Sequence, residues 1–196
     1  MLITDNFDSD TSSEWSLYNN AGARSVVNNQ LVYDNNTAIR GMLLSPYVLN
    51  NNFVLSVDMR LLTDYSGQQR GGLWLLNSTK TQAMQFYFED DHCGSVYANV
   101  SNGTVTEFYQ WQNTTTNPQF NSGKVFNVLL EKTDNTIKYY IDGVLMRTMN
   151  AIDNINSFAL FALNSKVAFD NLSINQIALA VFGSSKQDDG IAISIS

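Results

Sequence analysis

Aromatic rings interleaved with amides, carboxylates and an arginine are the residues of this chain whose types and spacing suit chemistry, and that chemistry is sugar recognition. Read as a strand, Arg70–Leu75 sends Leu73 and Leu75 one way and Arg70, Gly72 and Trp74 the other. Further on, Met84, Phe86 and Phe88 alternate with Gln85, Tyr87 and Glu89, and Val96, Ala98 and Val100 alternate with Tyr97 and Asn99. Glu107, Tyr109 and Trp111 share a side of the next stretch. If these strands are neighbours, one face displays Arg70, Trp74, Gln85, Tyr87, Glu89, Tyr97, Asn99, Glu107, Tyr109 and Trp111. Flat rings stack on the apolar face of a pyranose, while amides, carboxylates and a guanidinium satisfy its hydroxyls. The same face also suits contact with a partner subunit, and a register slip of one residue would turn it into core.

Catalytic constellations are sparse. Two carboxylates about 5–5.5 Å apart would serve a retaining glycosidase, and Glu89 and Glu107 are the pair that shares a face. Glu89 stands in FEDDHCG, where Glu89, Asp90, Asp91 and His92 are consecutive and read as a solvated hairpin tip. Neighbouring residues of a strand alternate in direction, so the four do not converge on one metal ion. His92, the single histidine, has no recognisable Ser or Cys arrangement beside it, and Cys93 reads as an inert thiol. No phosphate-cradling loop or zinc pattern occurs, and the expectation from these residues is a protein that is not an enzyme.

The elements that must position these side chains are strands. In Phe126–Met146, FNVLLEKTDNTIKYYIDGVLM, Val128 and Leu130 alternate with Asn127 and Glu131, and after TDNT the residues Ile137, Tyr139 and Ile141 alternate with Lys138, Tyr140 and Asp142. The apolar period is two, and Asp142-Gly143 supplies the positive-φ positions of a tight hairpin. Strands are expected at Ser25–Val27, Gln30–Tyr33, Met42–Leu44, Phe53–Leu62, Gly71–Leu76, Ala83–Glu89, Ser95–Val100, Thr104–Gln112, Val125–Glu131, Ile137–Ile141, Val144–Met149, Ser157–Ala162 and Val167–Ile174. Turn residues such as Asn50-Asn51-Asn52, Asn102-Gly103 and Asn121-Ser122-Gly123 punctuate them at sandwich spacing.

Phe126–Met146, the closing FALFALNSKVAFDNLSI of Phe158–Ile174 and the opening DNFDSDTSSEW of Asp5–Trp15 together resemble the concanavalin A-like lectin and glucanase, or laminin G-like, jelly-roll superfamily. The resemblance runs from about residue 3 to residue 176 and implies an all-β, two-sheet antiparallel jelly-roll sandwich. It also implies a glycan groove on the concave sheet, and it leaves the function open, since one fold hosts many. Glycosidases of the superfamily carry an E-x-D-x-x-E string that is missing here. A structural calcium near the paired first and last strands is another implied feature, for which Asp5, Asp8 and Asp170 are the candidate ligands. No other cofactor is required.

Length and charge bound what remains. A chain of 196 residues fits one sandwich, and 44% hydrophobic with 15% charged residues excludes generic disorder. The formal charge of −7 and the scatter of eleven Lys and Arg argue against a nucleic-acid partner. The opening MLITDNFDSD has no secretory-leader pattern, and no apolar run of membrane-spanning length is visible in the chain. The domain is read as 1–176, with 177–196 (IALAVFGSSKQDDGIAISIS) as a C-terminal β extension able to act as an assembly arm. The Asn-, Thr- and Ser-rich, Lys-poor composition is similar to that of bacteriophage structural and fibre proteins. The expectation is thus a non-catalytic structural or adhesion component of an assembly, an exterior phage capsid or tail protein that contacts neighbouring subunits or its own copies, and surface glycans. It would be made in host cytoplasm and located in the virion. The alternative is a free, lectin-like carbohydrate-binding module, extracellular in location, and the third reading is a glycoside hydrolase-like enzyme.

Overall fold

The computed structural model describes residues 1–18, 22–37, 41–65, 70–89, 92–101, 104–113 and 123–177. The strands in chain order are β1 (Leu2–Asp5), β2 (Ser16–Tyr18), β3 (Ala23–Val27), β4 (Gln30–Asn35), β5 (Gly41–Leu44), β6 (Phe53–Asp64), β7 (Arg70–Asn77) and β8 (Gln82–Phe88). They continue as β9 (Cys93–Ser101), β10 (Thr104–Asn113), β11 (Val125–Thr133), β12 (Thr136–Ile141), β13 (Val144–Asn150), β14 (Ile155–Leu163) and β15 (Ser165–Gln176). The first sheet has the order β13-β12-β11-β6-β15-β4-β3 with β1 also on β15, and the second has β10-β9-β8-β7-β14-β5-β2. Every pairing is antiparallel. The expected jelly-roll sandwich is the fold, with β1 and β2 as strands that the hydrophobic pattern had not marked. Among the described residues no helix is long and apolar enough to cross a membrane.

Local sequence fixes the turns. Asp142 and Gly143 adopt φ of 49° and 77°, and Asn28 and Asn29 adopt 51° and 59°, the left-handed pair that closes a two-residue hairpin with the twist of its strands. Between the sheets, edge-to-face ring pairs join β8 to the opposite layer: Phe88 meets Phe126 at 4.6 Å and Phe86 meets Tyr139 at 5.3 Å. Trp15 closes the far end against Phe158 at 5.9 Å. The two ends of the sandwich also tie together. The Met1 ammonium donates to the Gln176 carbonyl at 3.0 Å, and Gln176 N–H donates back to Met1 at 2.8 Å. Of the expected extension at 177–196, Ile177 N–H donates to Asn52 O and residues 178–196 lie outside the described residues.

Burial keeps titratable groups protonated in the core, Cys93 and Tyr139 among them. The Cys93 thiol, fully buried, is pushed up to about 11, and the wholly enclosed Tyr139 phenol is raised well above its ordinary value, in both cases chiefly by desolvation of the charged form. Both groups have folded values above their unfolded ones. The stability Cys93 contributes is therefore complete below about pH 8.5 and drains away as pH rises through about 11, whereas that of Tyr139 is lost only as pH rises above the ordinary tyrosine value. Denaturant midpoints measured across pH 8 to 11 are expected to fall, and to fall less steeply in Cys93→Ala; equal slopes in the two proteins would show that the thiol does not drive the loss.

Candidate functional site

Core demand sets the direction of every side chain on β8. With Met84, Phe86 and Phe88 turned between the sheets, Gln85 and Tyr87 point to the outer face of the second sheet, as the alternation predicts. That face is not an open platform. Trp74, Gln85 and Tyr87 are fully buried, and Trp74 packs edge-on against Phe161 at 6.0 Å within a second apolar cluster that includes Met42, Val96 and Ala98. The glycan surface expected at Trp74, Gln85 and Tyr87 is thereby corrected to a second, buried layer with polar groups at one end.

The facing of the next two strands differs from expectation. Gln85 lies opposite Val96, and Met84 opposite Tyr97, so Val96, Ala98 and Val100 belong to the outer face and Tyr97 to the core side. Asn99 shares the side of Tyr97 and is exposed. On β10, Glu107 pairs with Ala98 but Tyr109 pairs with Tyr97, which makes Phe108 an extra, bulged residue. After the bulge Gln110 and Gln112 face outward, while Tyr109 and Trp111 turn to the opposite side, towards Arg147 of β13. Of the ten residues expected on one face, the nine whose side chains are described thus divide between two. Of Arg70 only the backbone, at the start of β7, falls within the described residues.

A connected polar cluster forms where β8, β9 and β10 meet. Tyr87 OH accepts from Gln110 Nε2 at 2.7 Å and from Gln112 Nε2 at 3.3 Å. Gln112 Nε2 lies 3.2 Å from His92 Nε2, and the same imidazole nitrogen lies 3.2 Å from Glu89 Oε2. The hairpin that carries the pair is closed by Glu89 N–H donating to His92 O at 2.7 Å. His92 is only 8% exposed, so it does not belong to the solvated tip that the polarity of FEDDHCG suggested; Asp90 and Asp91 lie outside the described residues. The ring of Tyr87 stands edge-on to His92 at 6.0 Å and crosses directly over Gly94. A Cβ on Gly94 would come within 2.5 Å of the Tyr87 ring and 2.6 Å of the Trp111 carbonyl, so the absent side chain is what admits the phenol.

Other expected groups are kept apart. Glu107 sits opposite Ala98, whereas Glu89 lies one step beyond the Phe88–Cys93 pair, at the level of His92, a displacement of about 20 Å along the strands at about 3.3 Å per residue. They do not form a retaining pair. The carboxylates expected to bind calcium hold separate turns. Asp5 accepts from Phe7 N–H at 2.9 Å and Tyr47 OH at 3.1 Å, Asp8 accepts from the Asn6 amide, and Asp170 accepts from Asn171 N–H at 2.8 Å and Gln30 Nε2 at 3.3 Å. Among the described residues no three His, Cys, Asp or Glu are grouped so as to hold a metal ion.

Residues 3–175 match the 3-keto-alpha-glucoside-1,2-lyase-like domain. The chain belongs to that family. This corrects the expectation of a non-enzyme, because the family is named for a lyase. No curated protein matches the chain. Among solved structures it is similar to the carbohydrate-binding module CBM66 from Bacillus subtilis, at TM-score 0.64 and 14% identity, with 83% of this chain and 96% of that one covered. β-Agarase A in complex with oligoagarose superposes at TM-score 0.67 and 12% identity, covering 90% and 91%. A Bacillus subtilis protein of unknown function with a galectin-like fold does so at 0.65 and 10%, covering 89% and 94%. At these identities the likeness is one of fold. None of these three is a virion protein by its description, and the comparisons give the phage expectation no support.

The tight seat of Tyr87 generates a prediction. Gly94→Ala is expected to cost about 1–3 kcal/mol, the range for an overpacked site, and to shift the near-ultraviolet signal of the tyrosines. In a double-mutant cycle with Tyr87→Ala the two costs are expected to fall short of additive. Full additivity in denaturant titrations would mean that Gly94 serves only the Trp111 carbonyl.

Proposed function

We propose that the chain is a saccharide-binding domain that takes a glycoside already carrying a ketone at C3 against the exposed amides of Gln110 and Gln112, beside the His92–Glu89 pair, and eliminates its aglycone. The observation that carries this reading is the buried imidazole held by a carboxylate at 3.2 Å, beside two glutamine amides that are exposed on the same face. The Glu89 carboxylate at Nε2 orients the ring, and a neighbouring carboxylate stabilises the imidazolium that forms when the ring takes a proton.

A 3-keto-glucoside offers such a base an acidic target. The hydrogen on C2 is adjacent to the C3 carbonyl, so its removal gives an enolate. Collapse of that enolate forms the C1–C2 double bond and breaks the bond from C1 to the glycosidic oxygen, which leaves with a proton from solvent. His92 is assigned the C2 proton, Glu89 the orientation of the ring, and the amides of Gln110 and Gln112 the sugar hydroxyls. The binding half of the reading is supported by the fold shared with CBM66 and with an agarase that holds oligoagarose. The assembly reading rests on composition, on a face suited to a partner and on the sequence of 177–196, and is set aside in favour of this one.

Incubation of the purified chain with 4-nitrophenyl 3-keto-α-glucoside is expected to release nitrophenol together with an enone absorbing in the ultraviolet. His92→Ala is expected to lower kcat/KM by about 10²–10⁴-fold, the range for a lost general base, with unfolding unchanged. Equal rates in the two proteins, or none in the wild type, would overturn the assignment.

A further inference from the structure

We infer that the open edge between β10 and β13 is a second saccharide subsite, separate from the His92 cluster and built on an aromatic platform around Arg147. It rests on the saccharide reading and deepens it by adding a place for a longer glycan. The two strands are the outermost of their respective sheets, and side chains bridge the gap between them. Arg147 Nη1 donates to Ser95 Oγ at 3.0 Å and Nη2 donates to Tyr109 OH at 3.1 Å. The guanidinium also lies 5.2 Å from the Tyr109 ring centroid and 5.0 Å from that of Trp111. Tyr97 OH donates to the Asn150 carbonyl, which ties the core-side strand β9 to the end of β13. These contacts fix the rings before any ligand arrives, which reduces the entropy lost on binding.

What they fix is a cleft of about 700 Å³ lined by Tyr97, Phe108, Tyr109, Arg147, Thr148 and Asn150, among others. Such a volume lies within the range of small-ligand sites. Phe108 is 59% and Tyr109 51% exposed, high values for rings that have a whole core available. Tyr97 lies 6.0 Å from Phe108 and 5.9 Å from Tyr109, so the three rings form one patch.

The occupant is decided by what the edges forbid and what the patch offers. A strand docking on either edge needs an unbroken run of alternating N–H and C=O groups. Both edges are interrupted: Phe108 is the extra residue of β10, and the register step between Tyr139–Arg147 and Tyr140–Leu145 makes Met146 the extra residue of β13. A wholly apolar partner would bury the guanidinium of Arg147. A pyranose meets all of the constraints, since its C–H face lies on Phe108 or Tyr109 while its hydroxyls take N–H groups of Arg147 and oxygens along Thr148–Asn150. Because Tyr109 and Trp111 point away from Gln110 and Gln112, the cleft and the His92 cluster lie on opposite sides of β10, so the two sites can be tested independently.

Calorimetric titration of the full chain with maltohexaose, cellohexaose and agaro-octaose reads the cleft, and turnover of 4-nitrophenyl 3-keto-α-glucoside reads the His92 site. Wild type is expected to bind at least one of the three saturably. Phe108→Ala is expected to weaken that binding by about tenfold, the loss of one stacked ring, and Phe108→Trp to retain it, both with wild-type turnover. His92→Ala is expected to lose turnover and keep the oligosaccharide affinity. Equal affinities in wild type and Phe108→Ala, or no binding of any of the three to wild type, would overturn the subsite whatever the turnover. Lost turnover in wild type with intact, Phe108-dependent binding would sink only the elimination reading.

Discussion

The ring contacts of Phe86 and Phe88 across the sandwich are the constraint on which the rest of the molecule depends. Each meets an aromatic of the opposite sheet edge-on, and together with Met84 they commit one side of β8 to the core. Alternation then leaves Tyr87 only the outer face, where Gly94 on the adjoining strand makes room for its ring. The hydroxyl it presents collects the amides of Gln110 and Gln112, and Gln112 reaches His92. A packing requirement at the centre of the fold thus places a polar cluster at its surface.

β8 was legible in sequence because its two sides differ sharply in polarity, Met-Phe-Phe against Gln-Tyr-Glu. β9 was not. Its outer side is the apolar one, since the outer face of this sheet is itself a buried layer, and its core side carries Ser95, Tyr97 and the exposed Asn99, so polarity alternation points to the wrong side. Val96, Ala98 and Val100 therefore read as core residues of the main cluster when they belong to the second. The turns were legible for the opposite reason. Asp142-Gly143 adopts a left-handed pair that few other residues tolerate, and its chemistry is local.

The His92 region shows a further limit of hydropathy. Four consecutive polar residues look like a solvated tip, yet His92 is nearly enclosed while remaining polar, because the Glu89 carboxylate holds its Nε2. Burial of a hydrogen-bonded polar group costs little, and sequence pattern alone does not distinguish it from exposure. The signal available was compositional: a lone histidine beside a glutamate and a buried cysteine. Arg147 was equally hidden, since its ring partners Tyr109 and Trp111 stand on a strand of the other sheet, more than thirty residues earlier in the chain.

The bulge at Phe108 decides how these elements combine. Continued without it from the Glu107–Ala98 pair, β10 would set Tyr109 opposite Val96 and Trp111 opposite Gly94, on the outer face beside Tyr87. That is the single aromatic face that strict alternation describes, and the ring over Gly94 would then have to share its place with an indole. One inserted residue reverses the remainder of the strand. Gln110 and Gln112 arrive at Tyr87 with short amide side chains that fit beside a phenol, and the two large rings are sent to the edge, where Arg147 fills the space between them. The bulge therefore converts one overcrowded surface into a hydrogen-bonded cluster on one side of the strand and an aromatic cleft on the other.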